Sequence, residues 1–112
     1  MNKLQFKDNF LIIDNLIFHL NHIIRDARLI DNKAVVIFKY DDSVPRHSQF
    51  NNLHAFNQKG ELIWKAEHPT NETADFYLDF ISPESNKLWN FGCFICEIDF
   101  NTGKLLTAEF TK

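Results

Sequence analysis

The apolar residues of this chain come in short segments of about four to seven, cut again and again by polar pairs. Phe10 to Ile13 and Leu16 to His19 flank Asp14-Asn15, and Ala34 to Tyr40 stands between Asp31-Asn32 and Asp41-Asp42. Leu53 to Phe56 and Leu62 to Lys65 bracket a polar stretch ending in Gly60, and Phe76 to Phe80, Leu88 to Phe91, Phe94 to Phe100 and Leu105 to Phe110 complete the set. Segments of this length are too short for ordinary helices and suit strands joined by tight turns. Asn and Asp tolerate positive φ, so Asp14-Asn15 reads as a two-residue hairpin turn, with Gly60 and Gly103 serving longer hairpins.

The spacing predicts a meander of roughly eight to ten strands. In Phe94, Ile95, Cys96, Glu97, Ile98, Asp99, Phe100 the even positions are all apolar and the odd ones include two acids, so one face turns inward. Residues 16–30 carry a rival pattern, because Leu16, Leu20, Ile23, Ala27 and Ile30 recur at helical spacing. The two longest polar stretches, Asp41 to Asn52 and Glu67 to Asp75, read as loops, where binding residues usually sit.

With 112 residues, 45% of them hydrophobic, the chain has material for one compact domain spanning 1–112 and for open faces or shallow clefts rather than deep sites. No apolar run approaches a membrane span, and MNKLQFKDNF lacks the apolar stretch of a secretory signal, so a cytoplasmic location and no membrane partner are expected. Cys93 and Cys96 stand too close together to staple a secreted scaffold.

An internal echo refines the architecture. NNLHAFNQKGELIWKAE and FGCFICEIDFNTGKLLTAEF each join an apolar strand, a turn containing Gly and a second apolar strand, about 40 residues apart. Four four-stranded blades do not fit in so short a chain, so a closed propeller is excluded. The expected fold is mainly β, a single-domain antiparallel meander forming a partial propeller-like or curved sheet or sandwich, with a short helix in 16–30 as the alternative there.

The pattern Asn52-Leu53-x-Ala55-Phe56-x-x-x-Gly60-Glu61-Leu62-x-Trp64, followed by Glu97-Ile98-Asp99-x-x-Thr102-Gly103-Lys104, looks like strand pairs of quinoprotein-like β-propeller blades. The same order after Ile23-Ile24-Arg25-Asp26-Ala27 resembles small bacterial immunity proteins found beside contact-dependent or polymorphic toxins. The resemblance implies a non-catalytic protein that neutralises a co-encoded toxin, such as a nuclease, by stoichiometric binding. It implies no cofactor and no catalytic residue.

Charge points to the same kind of partner. Residues 1–56 carry seven bases and six acids, and residues 57–112 five bases and nine acids, for a formal net charge of -3. Such a balance suits neither a dedicated nucleic-acid binder nor an anionic surface, and favours a basic protein partner. Glu67, Glu72, Asp75, Asp79 and Glu84 form the expected docking group, with Asp41, Asp42 and Glu61 as additional members. Charges of this kind set encounter rate and partner choice more than affinity. Their ordinary alternative is solubility and protection of sheet edges. Tyr77 is expected beside them as an exposed aromatic, since Phe76, Leu78 and Phe80 occupy the opposite phase of the strand.

Other motifs are weaker. Cys93-Phe94-Ile95-Cys96 has redox or half-zinc spacing, but the alternation around it is a strand, not the helix start that activates a thiolate, and no second ligand pair follows. One buried cysteine and one bystander is therefore expected, with no metal. His19, His22, His47, His54 and His68 are read as surface or hydrogen-bonded residues. A small hydrolase or metal-dependent enzyme is the catalytic alternative, which a convergent His–carboxylate pocket would favour, and a self-assembling β protein is the structural one.

Overall fold

The computed structural model describes residues 1–82 and 85–111, which form strands β1 (Leu4–Lys7), β2 (Phe10–Ile13), β3 (Leu16–His19), β4 (Ile24–Ile30), β5 (Lys33–Phe38), β6 (Leu53–Phe56), β7 (Leu62–Lys65), β8 (Tyr77–Phe80), β9 (Lys87–Asn90), β10 (Phe94–Ile98) and β11 (Leu105–Phe110). All pair antiparallel with their neighbours in the chain, as three sheets ordered β1-β2-β3, β4-β5-β6-β7 and β8-β9-β10-β11. The meander is as the sequence predicts. Its turns follow the expected chemistry: Asp14 and Asn15 take φ of 46° and 75°, and Asp31 and Asn32 take 48° and 60°, so both central residues of each hairpin are left-handed.

The middle sheet organises the molecule. Along β5, Ala34, Val36 and Phe38 join one core with Leu11, Ile13, Ile24 and Phe56, while Val35 and Ile37 join another with Leu53, Trp64, Tyr77, Leu88, Cys96 and Ile98. Successive residues of a strand point to opposite faces, so the first sheet covers one side of the middle sheet and the third sheet covers the other. That explains why Ala34 to Phe38 is continuously apolar rather than alternating.

Two expectations are corrected. No helix occurs among the described residues, and 24–30 of the disputed segment is strand β4. Its pairing with β5 jumps between Ile24 and Asp26, a bulge at Arg25, and the residues at helical spacing do not share a face: Leu16 and Ile23 are exposed, Leu20 and Ala27 pack on one core and Ile30 on the other. The propeller-like arrangement is also absent. The outer sheets lie on opposite faces of the middle one instead of following one another round an axis, and the sheets stay open, with β1, β3, β4, β7, β8 and β11 as their edges.

Buried polar groups join the layers. Asn52 is fully buried; its amide nitrogen donates to the carbonyls of Phe38 (2.9 Å) and Tyr77 (2.8 Å), and its carbonyl accepts from the Tyr77 amide (2.8 Å). It thus satisfies backbone groups at the ends of both β5 and β8. Trp64 donates from its indole to the Phe100 carbonyl at 3.0 Å and stacks on the Phe100 ring. Gly103, at φ 78°, lies under that indole, and a Cβ there would come within 2.8 Å of it.

Asn52→Leu is expected to lower unfolding stability by about 2–5 kcal/mol in urea titrations, because three buried backbone groups lose their partner at once. A loss within a few tenths of a kcal/mol would show that Asn52 does not tie the sheets.

Candidate protein-binding face

The acids singled out in the sequence do not assemble into one surface. Asp41 and Asp42 follow β5; the Asp41 carboxylate accepts from the amide and hydroxyl of Ser43, which together hold its pKa below the usual value. Glu61 closes the β6–β7 hairpin, where its carboxylate accepts from Asn57 at 3.1 Å. Glu67 is a structural tie: its Oε1 accepts from the Leu105 amide (2.8 Å) and its carbonyl from the Tyr77 hydroxyl (2.6 Å). Glu72 is exposed on the loop before β8, and Glu84 lies outside the described residues.

Asp75 and Tyr77 are buried, not exposed, at 1% and 0% of their surface. The Asp75 carboxylate accepts from Gln49 Nε2 (2.8 Å), from the amide (3.1 Å) and hydroxyl (2.8 Å) of Thr70, and from His68 Nδ1 (3.1 Å), which also donates to the Asp75 carbonyl. A carboxylate with this many donors is held in place as a loop anchor. Tyr77 turns inward because the β8–β9 pairing skips Leu78, so Tyr77 and Phe80 both reach the core despite their odd separation. Burial raises the phenol pKa far above normal and pushes the Cys96 thiol up to about 11. Cys93, by contrast, is exposed at the β9–β10 turn, and both thiols are free.

What the fold does assemble is the outer face of the third sheet. Pairing places Asp79, Trp89, Ile95 and Glu109 in one row across β8, β9, β10 and β11, and Lys87, Glu97 and Thr107 in the next. Their neighbours Leu88, Cys96 and Phe80 fill the core, so this row faces solvent, with Trp89 42% exposed. Arg25 reaches Asp79 from β4 at 3.3 Å, leaving Glu97 and Glu109 against Lys87. Two positions beyond Trp89, Phe91 stacks on Phe76 (4.9 Å), which stacks on Tyr40 (4.4 Å), and Tyr40 and Phe91 are both substantially exposed. The sequence signal was present, since Trp89 alternates with Leu88 and Asn90, and Glu97 with Cys96 and Ile98. Which alternate set faced out needed the sheet partners.

Among the described residues no group of three His, Cys, Asp or Glu is placed to hold a metal ion, and no helix is long and apolar enough to cross a membrane. His54 on β6 is packed against Phe38 and donates from Nε2 to the Asn51 carbonyl at 2.7 Å. Burial drives its pKa down to about 4, and the nearby charges of Lys65, His22 and His68 push the same way.

Two solution measurements follow. An unfolded chain takes up a proton on residue 54 near pH 6.5, whereas the folded ring stays neutral to about pH 4. Stability from this residue is therefore complete above pH 6.5 and lost as the pH falls toward 4. Thermal melts of the wild type should lose more Tm across that window than those of His54→Gln; equal losses refute the assignment. Thiol titration at pH 8 should label Cys93 rapidly and Cys96 only on unfolding, and prompt labelling of both would contradict the burial described.

The comparison with known proteins corrects the resemblance read from the sequence. The matching family carries no toxin-immunity description, and the open three-sheet stack is not a propeller. No curated protein and no solved structure matches the chain. Residues 1–110 match the family described as Domain of unknown function (DUF7957), and the chain belongs to that family.

Proposed function

We propose that this domain is a non-catalytic binding protein whose partner is another protein, held on the outer face of the third sheet. The observation that carries the reading is Trp89, half-exposed in the middle of a regular sheet face beside Ile95, with Asp79, Glu97 and Glu109 around them. An exposed indole within a rigid, partly charged face has the anatomy of an interface hot spot and its rim. Glu97 and Glu109 favour a partner with a basic surface. The free thiols of Cys93 and Cys96 suit a reducing, cytoplasmic setting. Neutralisation of a co-encoded toxin is one specific form of this binding, and it rests on the sequence reading.

The test is a pull-down with the products of neighbouring genes as prey, followed by affinity measurement on any stoichiometric complex. Trp89→Ala should weaken binding about 30-fold or more without altering Tm, and Glu97→Lys with Glu109→Lys should slow association. A complex indifferent to all three substitutions would remove this face from consideration.

A second reading has its own observation. At the edge strand β11, Leu106 and Phe110 are 55% and 58% exposed and Ala108 stands between them on the same side. Such an edge favours pairing with a second copy. Sedimentation showing dimers abolished by Leu106→Lys would support self-assembly, and a monomer at every concentration would end it.

A further inference from the structure

The first sheet has three strands and the middle sheet four. The shorter sheet leaves part of the middle sheet's face uncovered, and there a cleft of about 450 Å³ opens between His19 and Leu20 at the end of β3 and the face of β6 and β7. That volume lies in the range of small-molecule sites. Phe38, Phe50, Phe56, Leu20 and Leu62 supply its apolar wall.

Its lining carries a positive charge. Lys65 borders the cleft together with three histidines, His19, His22 and His54, the last of them neutral, and among the described residues no carboxylate does, in a chain whose formal net charge is -3. Lys65 pairs directly with His54 across β6 and β7, and no carboxylate of the described residues lies within ion-pairing distance of it. The acid connected to the cleft acts through an intermediary. Ser43 spends its hydroxyl hydrogen on Asp41 at 2.5 Å and so accepts from His22 Nδ1 at 3.3 Å, which puts the ring proton on Nδ1 and leaves Nε2 as a hydrogen-bond acceptor. His22 is itself held edge-on between Phe38 (5.7 Å) and Phe50 (5.0 Å).

We propose that this cleft binds a small organic monoanion with an aromatic body, the charge meeting Lys65 and the ring lying against Phe38, Phe50 and Phe56. A bare inorganic anion would leave the phenylalanines unused, and a neutral aromatic would leave Lys65 unpaired. The site lies on the far side of the middle sheet from Trp89, so it stands or falls independently of the protein-binding reading.

The test is NMR titration of the full chain with benzoate and indole-3-acetate, each against its neutral amide, and with inorganic phosphate. Saturable shifts centred on Phe50, His54 and Lys65 are expected for the carboxylates, with the amides and phosphate at least about 10-fold weaker. Lys65→Gln should weaken the carboxylates by about 10-fold and leave the amides unchanged, as loss of one charge-assisted contact predicts. Leu62→Trp, which fills the cleft from an exposed position, should abolish binding of both while the spectrum stays folded. Absence of saturable shifts, equal affinity of acid and amide, phosphate binding as tight as benzoate, or shifts centred elsewhere would each overturn the proposal.

Discussion

Everything in this fold depends on β5 being buried on both faces. A strand whose successive side chains enter different cores needs a sheet on each side, and so Ala34 to Phe38 dictates three layers from a chain of only 112 residues. Burying one such side chain contributes about 1.5–3 kcal/mol. Cutting either outer sheet away would return alternate members of the strand to water. The two outer sheets therefore stabilise each other through the middle one, although they share no strand.

Hydrophobic burial is not directional, and the polar ties supply the direction. Asn52 fits only if the end of β5 and the start of β8 come to the same place, because its one amide group serves Phe38 and Tyr77 together. Asp75 does the same for loops, gathering Gln49, Thr70 and His68 around a carboxylate that water does not reach. Partial satisfaction of such a group is expensive, so it selects one arrangement of the loops over its competitors. His68 carries a remaining cost: Nε2 is buried without a partner among the described residues.

Where local chemistry decides structure, the sequence was readable. Asp14-Asn15, Gly60 and Gly103 adopt the positive φ their residue types suggest, and most strands lie where period two places them. It failed at bulges. At Arg25 and Leu78 one extra residue breaks the alternation, and the phase on either side must be counted separately. The slip at Leu78 put Tyr77 on the wrong face, and the helical spacing over 16–30 joined residues that the strands send to different faces. Asp75 shows a different limit. A carboxylate in a polar loop looks exposed in any one-dimensional reading, and its burial follows from donors 5, 7 and 26 residues away. β1 escaped the count because Gln5 and Lys7 outweigh Leu4 and Phe6 in so short a strand.

Three layers also determine where anything can bind. Both faces of the middle sheet are consumed by cores, so recognition is left to the outer faces and to places where the layers fail to match. The third sheet offers the first kind, a flat face whose rows are fixed by strand register. The first sheet, one strand short, creates the second kind by leaving Leu62 and Lys65 exposed beside His54. Gln49 connects the two regions. It borders the cleft on one side of the middle sheet while its amide nitrogen donates to Thr70 and Asp75 in the loop leading to β8. A ligand that displaced Gln49 would disturb the anchor that sets where β8 begins, and with it the row running through Asp79 and Trp89. Gln49 with its buried carboxylate is one route of coupling between the sites, and Asn52, which ties Phe38 of the cleft to Tyr77 of β8, is a second; both are local, chemical and open to substitution at a single residue.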